Sequence, residues 1–152
     1  MKNQGTILLP NNLYLRAQVI QCIFDSIRLQ KIGSENVIYY IWHTPQERYD
    51  FDLLKKRKET LVNELIRWNK RLKEHNQEIF YAIGNLFTLA DIFLFSQLAF
   101  FVHCGYPIEL HEQLNFYYKS LRDRPSIQRS FPPHWTRTTS NILNDCSKFI
   151  QE

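Results

Sequence analysis

Residues 88–103 constrain this chain most. Ala90, Phe93, Leu94, Phe95, Leu98, Ala99, Phe101 and Val102 put apolar side chains on nearly every side of a helix built over that stretch. A helix that is apolar all round is buried, either in a protein core or in a bilayer. Here the run is shorter than the roughly 20 apolar residues needed to span a membrane. It therefore reads as a buried central helix, and the rest of the chain must cover it. With four glycines and six prolines in 152 residues, breakers are too few for a turn-rich sheet protein. The covering elements are expected to be helices. A hydrophobic fraction of 44%, with 14% aromatic residues, can fill one bulky core.

The other elements follow from periodicity. Residues 1–10 read as an extended lead-in, because Gly5 and Pro10 break any helix there. From Asn11 to Lys31 two apolar rows recur at helical spacing: Leu13, Ala17, Ile20, Phe24 and Ile27, then Leu15, Val19 and Ile23. Gln18, Gln21, Asp25 and Arg28 form the one continuous polar stripe, so this helix should face more than one neighbour. Gly33-Ser34 is expected to interrupt the pattern. Glu35 to Trp42 then reads as a separate short helix closed by Pro45. Residues 51–75 predict an amphipathic helix with Leu54, Leu61, Leu65, Trp68 and Leu72 inward and Lys58 and Glu64 on the polar side. A further helix is expected from Glu109 to Arg122, with Leu110, Leu114, Tyr117, Tyr118 and Leu121 inward and Pro125 as its stop. Pro132-Pro133 is expected to end the compact part. Residues 137–152 form a tail, with Ile142, Leu143, Cys146, Phe149 and Ile150 at weak helical spacing. The expectation is an all-α bundle of about five to six helices.

The stretch leading into the central helix, Gly84-Asn85-Leu86-Phe87-Thr88-Leu89-Ala90-Asp91-Ile92, carries a physical mechanism. Thr88 and Asp91 have the spacing of a capping box. The Thr88 hydroxyl can accept from the Asp91 N–H, while the Asp91 carboxylate accepts from the Thr88 N–H. Phe87 and Ile92 are spaced as a hydrophobic staple across it. A buried helix needs such a cap because water cannot reach its first N–H groups. Asp91 also complements the positive end of the helix dipole.

Gly-x-x-Phe-Thr-Leu-Ala-Asp-Ile resembles the cap-and-staple motif of the glutathione transferase C-terminal domain. Three further blocks agree with theta-related and rho-class members in the same order. These are Gln4-Gly5-Thr6-x-Leu8-x-Pro10, Val37-Ile38-Tyr39-Tyr40-x-Trp42, and Tyr117-Tyr118-x-x-Leu121-x-Asp123-Arg124-Pro125-Ser126-Ile127 followed by Pro132-Pro133-His134-Trp135. The resemblance implies a helical bundle of that type over residues 11–136, with residues 1–10 as the linker from a thioredoxin-like domain. In the family that domain binds glutathione, the co-substrate, and activates its thiol for attack on hydrophobic electrophiles. No βαβ pattern precedes Pro10, so the expectation is a chain without that domain. No catalytic residue is assigned, and activity alone is expected to be absent or nearly so. The C-terminal domain would supply the wall of the hydrophobic-substrate pocket, here Arg16, Ile20, Ile23 and Ile27 on the first helix with Trp135 near the end. The isoleucines fit a core role as readily as a pocket role, whereas an unpaired Arg16 is rarely buried. Ile20 stands where several members carry an acid that reaches the glutathione amine, so no such contact is expected. The resemblance further implies a homodimer and a small hydrophobic electrophile as the other substrate; the cytoplasm is the default expectation, because residues 1–10 lack a long apolar stretch and no run is long enough to span a bilayer.

Other chemistry finds little support. A net charge of +4, spread along the chain, implies neither nucleic acid nor membrane as a partner. The run Lys55-Lys56-Arg57-Lys58 reads as a solvated helix face. His43, His75, His103, His111 and His134 include no pair at zinc spacing, and Ser126 has no glycine-rich elbow around it. Cys22, Cys104 and Cys146 are odd in number and suit free thiols in a reducing compartment. The alternative function is a non-catalytic interaction module, as isolated domains of this family serve in translation-factor and tRNA-synthetase assemblies. The basic run and an exposed apolar face on the first helix would fit it.

Overall fold

The computed structural model describes residues 8–75, 81–138 and 140–150. Gln4-Gly5-Thr6 and the His75 side chain lie outside that description. Six α-helices are present among the described residues and no strand: α1 Leu13–Gln30, α2 Tyr40–His43, α3 Phe51–His75, α4 Leu89–His103, α5 Glu112–Arg122 and α6 Pro125–Gln128. No helix among them is long and apolar enough to cross a membrane.

α1 starts at Asn12, whose Oδ1 accepts from the Leu15 N–H at 3.0 Å. It does not break at Gly33-Ser34, as the sequence suggested. The backbone widens into π-helical turns over Lys31–Tyr39 and passes directly into α2. Packing explains the glycine. A methyl group on Gly33 would overlap the Phe101 ring of α4 and crowd Leu61 of α3. Gly33 permits this close approach without ending the helix. The α2–α3 loop is then pinned twice. The Tyr49 hydroxyl donates to the Ile41 carbonyl at 2.7 Å, and the Asp50 N–H donates to the Tyr40 hydroxyl at 3.0 Å.

α3 places Leu54, Leu61, Leu65, Trp68 and Leu72 in the core, as its periodicity predicts. Lys58 and Glu64, expected on the solvated side, are buried instead. Each sits under a neighbouring segment that supplies a partner. Glu64 receives Arg28 from α1 and Arg67 from its own helix, and Lys58 receives Asp145. Arg71 pairs with Asp25 of α1 and lies 5.0 Å from the centre of the Trp68 ring.

α4 runs through the middle, with Ala90, Leu94, Leu98 and Phe101 buried, and packs mainly on α1. It ends in a Schellman motif: Tyr106 N–H to Phe101 carbonyl at 2.9 Å and Gly105 N–H to Val102 carbonyl at 3.0 Å, with Gly105 at φ 88°. α5 begins three residues later than expected, after a 3₁₀ turn at Ile108–Leu110, which leaves Leu110 51% exposed. Leu114, Tyr117, Tyr118 and Leu121 do face inward. The first N–H groups of α5 are satisfied from outside the helix: Asn69 Oδ1 on α3 accepts from Gln113 and Leu114 at 2.9 and 3.1 Å. The compact part does not stop at Pro133. Leu143 and Cys146 are fully buried, and the 3₁₀ segment Asn144–Phe149 lies against α3.

Candidate functional site

Two apolar surfaces among the described residues bear on function. The first is the outer side of α1. Its inner side buries Val19, Cys22, Ser26 and Leu29. The outer row stays in solvent, with Leu13 78%, Ile20 41%, Phe24 67% and Ile27 44% exposed. The sequence requires a second neighbour for this helix, and the described residues provide none for that row. Ile23 is half-buried and packs on the core. Arg16 turns back and donates from Nε to the Pro10 carbonyl at 2.9 Å, fixing the lead-in on the helix. The Leu8 carbonyl accepts from the Leu89 N–H at 2.9 Å, so the same lead-in also touches the start of α4.

The second surface is a cavity of about 450 Å³ between α4 and the segment that follows α5. Phe95 and Ala99 form its α4 side, and Ile127, Phe131 and Trp135 close the opposite side. The staple residues Phe87 and Ile92 both line it. Its polar groups are the hydroxyls of Ser96, Ser126 and Ser130. Trp135 is held by stacking on His103, with ring centres 4.4 Å apart and planes at 8°, and on Phe100 at 6.3 Å. Of the five predicted pocket residues, only Trp135 lines this cavity; Arg16, Ile20, Ile23 and Ile27 do not. Phe95 and Phe131 were missed. Phe95 carries only the pattern of the buried helix, and Phe131 stands in a stretch without periodicity.

Asp91, next to the cavity-lining Ile92, anchors the start of α4. Both arms of the capping box are present. The carboxylate is fully buried and accepts four hydrogen bonds: from the Thr88 N–H at 2.8 Å, the Thr88 hydroxyl at 3.2 Å, the Ala82 N–H at 2.7 Å and the Tyr117 hydroxyl at 3.1 Å. The Ala82 and Tyr117 bonds were invisible to the capping pattern and tie the 81–88 loop and α5 to α4. Burial pushes the Asp91 carboxyl above its ordinary range, and these hydrogen bonds partly pull it back. Arg124 covers the Phe87 ring at 4.3 Å and donates to the Tyr81 hydroxyl at 3.0 Å. The thiols offer no nucleophile near neutral pH. Burial pushes Cys22 and Cys146 up to about 12 and Cys104 to about 11. The site's chemistry is therefore apolar binding, with hydroxyls at the edge.

Residues 34–129 match the family model described as "Glutathione S-transferase, C-terminal domain". This chain belongs to that family. The matched stretch runs from the π-helical turns through α6 and includes the Thr88–Asp91 cap. Among similar proteins, Glutathione S-transferase A of Pleuronectes platessa is 38% identical over 136 residues, which cover 88% of this chain and 58% of that protein. Among solved structures, a glutathione S-transferase from the Antarctic clam Laternula elliptica superposes with a TM-score of 0.80 at 30% identity, over 92% of this chain and 63% of that one. This glutathione transferase domain thus spans about three-fifths of the length of those relatives.

Proposed function

We propose that this chain acts as the helical half of a theta- or rho-type glutathione transferase, and that its contribution is to bind rather than to activate. The observation that carries this is the outward apolar row of Leu13, Ile20, Phe24 and Ile27. Large apolar side chains left in solvent along one helical row mark a surface built to be covered. A thioredoxin-like domain and a second subunit are the partners that the family relationship suggests. Glutathione would be held by the thioredoxin-like domain. The hydrophobic electrophile would lie against apolar walls from this chain, with Arg16, Ile20, Ile23, Ile27 and Trp135 as its candidate contacts.

Thiol conjugation requires a lowered thiol pKa at the reacting sulfur. The cavity offers apolar contact and serine hydroxyls, and the buried Asp91 carboxylate is already committed to four donors. The chain alone is therefore proposed to be inactive or nearly so. The test is conjugation of glutathione to chlorodinitrobenzene by the purified chain, alone and mixed with a separately prepared thioredoxin-like domain of a transferase. Turnover by the chain alone at the rate of an intact transferase overturns the proposal. The docking-module alternative loses one of its two supports, because the basic run is partly consumed within the bundle. Arg57 donates to the Asn36 carbonyl and covers Tyr40, and Lys58 is buried.

A further inference from the structure

Lys58 closes a run of four basic residues, yet it is only 7% exposed. Its ammonium donates to Asp145 Oδ1 at 2.6 Å and to the Ile142 carbonyl at 3.0 Å. Both acceptors lie on the last described segment, residues 140–150. A buried ammonium is costly unless it is paired and hydrogen-bonded. Here the segment that buries Lys58 also brings its partners. When the segment lifts away, Lys58 returns to water, and the ion pair is exchanged for hydration.

The rest of the attachment is mainly apolar, with Ile142, Phe149 and Ile150 packed half-buried on the core beside Leu143 and Cys146. Two backbone bonds tie the segment to the end of α4: Ser140 N–H to the His103 carbonyl at 3.3 Å and Leu143 N–H to the Cys104 carbonyl at 3.0 Å. It crosses over Gly105, where a side chain would run into Asn144 and the Ser140 carbonyl. Leu143 and Cys146 are its fully buried side chains. None of the caps at Asn12, Asp50, Asn69 or Thr88 involves it. Its departure therefore leaves those four caps in place and frees the His103 and Cys104 carbonyls at the end of α4 to water. Segments with few bonds to the rest of a fold open locally, at less free energy than global unfolding.

We propose that residues 140–150 form a releasable latch, that the Lys58–Asp145 pair is its catch, and that the latch controls access to the Cys146 thiol. Seated, the sulfur is fully buried and its thiol stays protonated. Opened, the sulfur meets water and loses the burial that holds its proton, which lets the thiolate form and react with soft electrophiles. Cys22 is buried on the inner side of α1, away from the latch, and serves as the internal control.

The test uses dithiobis-nitrobenzoate under native conditions. A cysteine thiolate attacks one sulfur of the reagent's disulfide, forms a mixed disulfide and expels one thionitrobenzoate anion. Peptide mass spectrometry assigns the label to each cysteine. Cys146 is expected to label at least about tenfold faster than Cys22, because local opening precedes global opening. Asp145→Asn is expected to speed Cys146 by about tenfold and leave Cys22 unchanged, since loss of a charged partner from a buried ammonium weakens only the seated state. Added salt should speed Cys146 in the unmodified chain, because Asp145 is half-exposed. Lys58→Met should abolish that salt response. Equal labelling of Cys146 and Cys22 in the unmodified chain overturns the latch, as does an Asp145→Asn rate for Cys146 equal to that of the unmodified chain. Should Asp145→Asn unfold the bundle, Cys22 would accelerate too, and the salt response with and without Lys58→Met then decides.

Discussion

Replacing Asp91 tests how the buried helix is held. A capping box alone would be worth about 1 kcal/mol. The structure demands more. In Asp91→Ala the Ala82 N–H, the Thr88 N–H and the Tyr117 hydroxyl lose their acceptor in a region closed to water. At roughly 1–1.5 kcal/mol for each of the three stranded buried donors, the loss is about 3–4.5 kcal/mol. For a domain of this size that corresponds to a fall of roughly 10 °C in Tm. Asp91→Asn keeps an acceptor for Ala82 and Tyr117 but turns an N–H₂ toward the Thr88 N–H, so about half that cost is expected. Urea unfolding followed by far-UV circular dichroism measures both. The pH response separates charge from shape. The folded carboxyl titrates above its ordinary 3.8, so the folded chain holds this proton where the unfolded chain has lost it. The stability linked to Asp91 therefore declines as pH rises through the window that opens at 3.8, and Asp91→Asn lacks that slope. An Asp91→Ala midpoint within about 1 kcal/mol of the unmodified chain would show that the Ala82 and Tyr117 bonds contribute nothing beyond a cap.

Gly33→Ala is expected to cost about 1–3 kcal/mol by overpacking against Phe101, read from the same urea curves. Phe24→Ser, in the outward row, should leave the stability of the chain alone within about 0.5 kcal/mol while weakening its association with a thioredoxin-like domain, measured by calorimetry. Burial holds His111 and His103 below their ordinary 6.5, so the unfolded chain takes up those protons first. Their contribution to stability is complete above 6.5 and is lost as pH falls through the folded values, and His111→Gln should flatten the acid limb of a Tm-against-pH plot.

Most of the bundle was legible because burial writes itself as period. Leu54, Leu61, Leu65, Trp68 and Leu72 could point nowhere but inward, and the all-apolar face of α4 had to be central. What periodicity missed were interactions between distant segments. Lys58 and Glu64 look solvated on a helical wheel, yet Asp145, 87 residues further on, and Arg28, 36 residues back, make their burial possible. Gly33 looks like a breaker because glycine favours turns. Only the Phe101 ring, on a different helix, turns it into a packing requirement.

The candidate site was harder for a related reason. Its two surfaces are apolar, and apolar residues carry the same pattern whether their neighbour is the chain's own core or something else. α1 shows two such rows. Val19 and Ile23, from one, meet the core, while Ile20, Phe24 and Ile27, from the other, do not. No spacing rule separates them, since steps of four and steps of three and four both follow a helical face. The polar stripe of Gln18, Gln21, Asp25 and Arg28 could have suggested where solvent begins. Yet Asp25 and Arg28 are engaged with Arg71 and Glu64 of α3, so this stripe partly faces protein and the apolar row faces out. That inversion is the observation that supports the proposed partner for α1: its charges are satisfied inside the chain, while Ile20, Phe24 and Ile27 stay in solvent, where a partner supplying apolar surface would cover them.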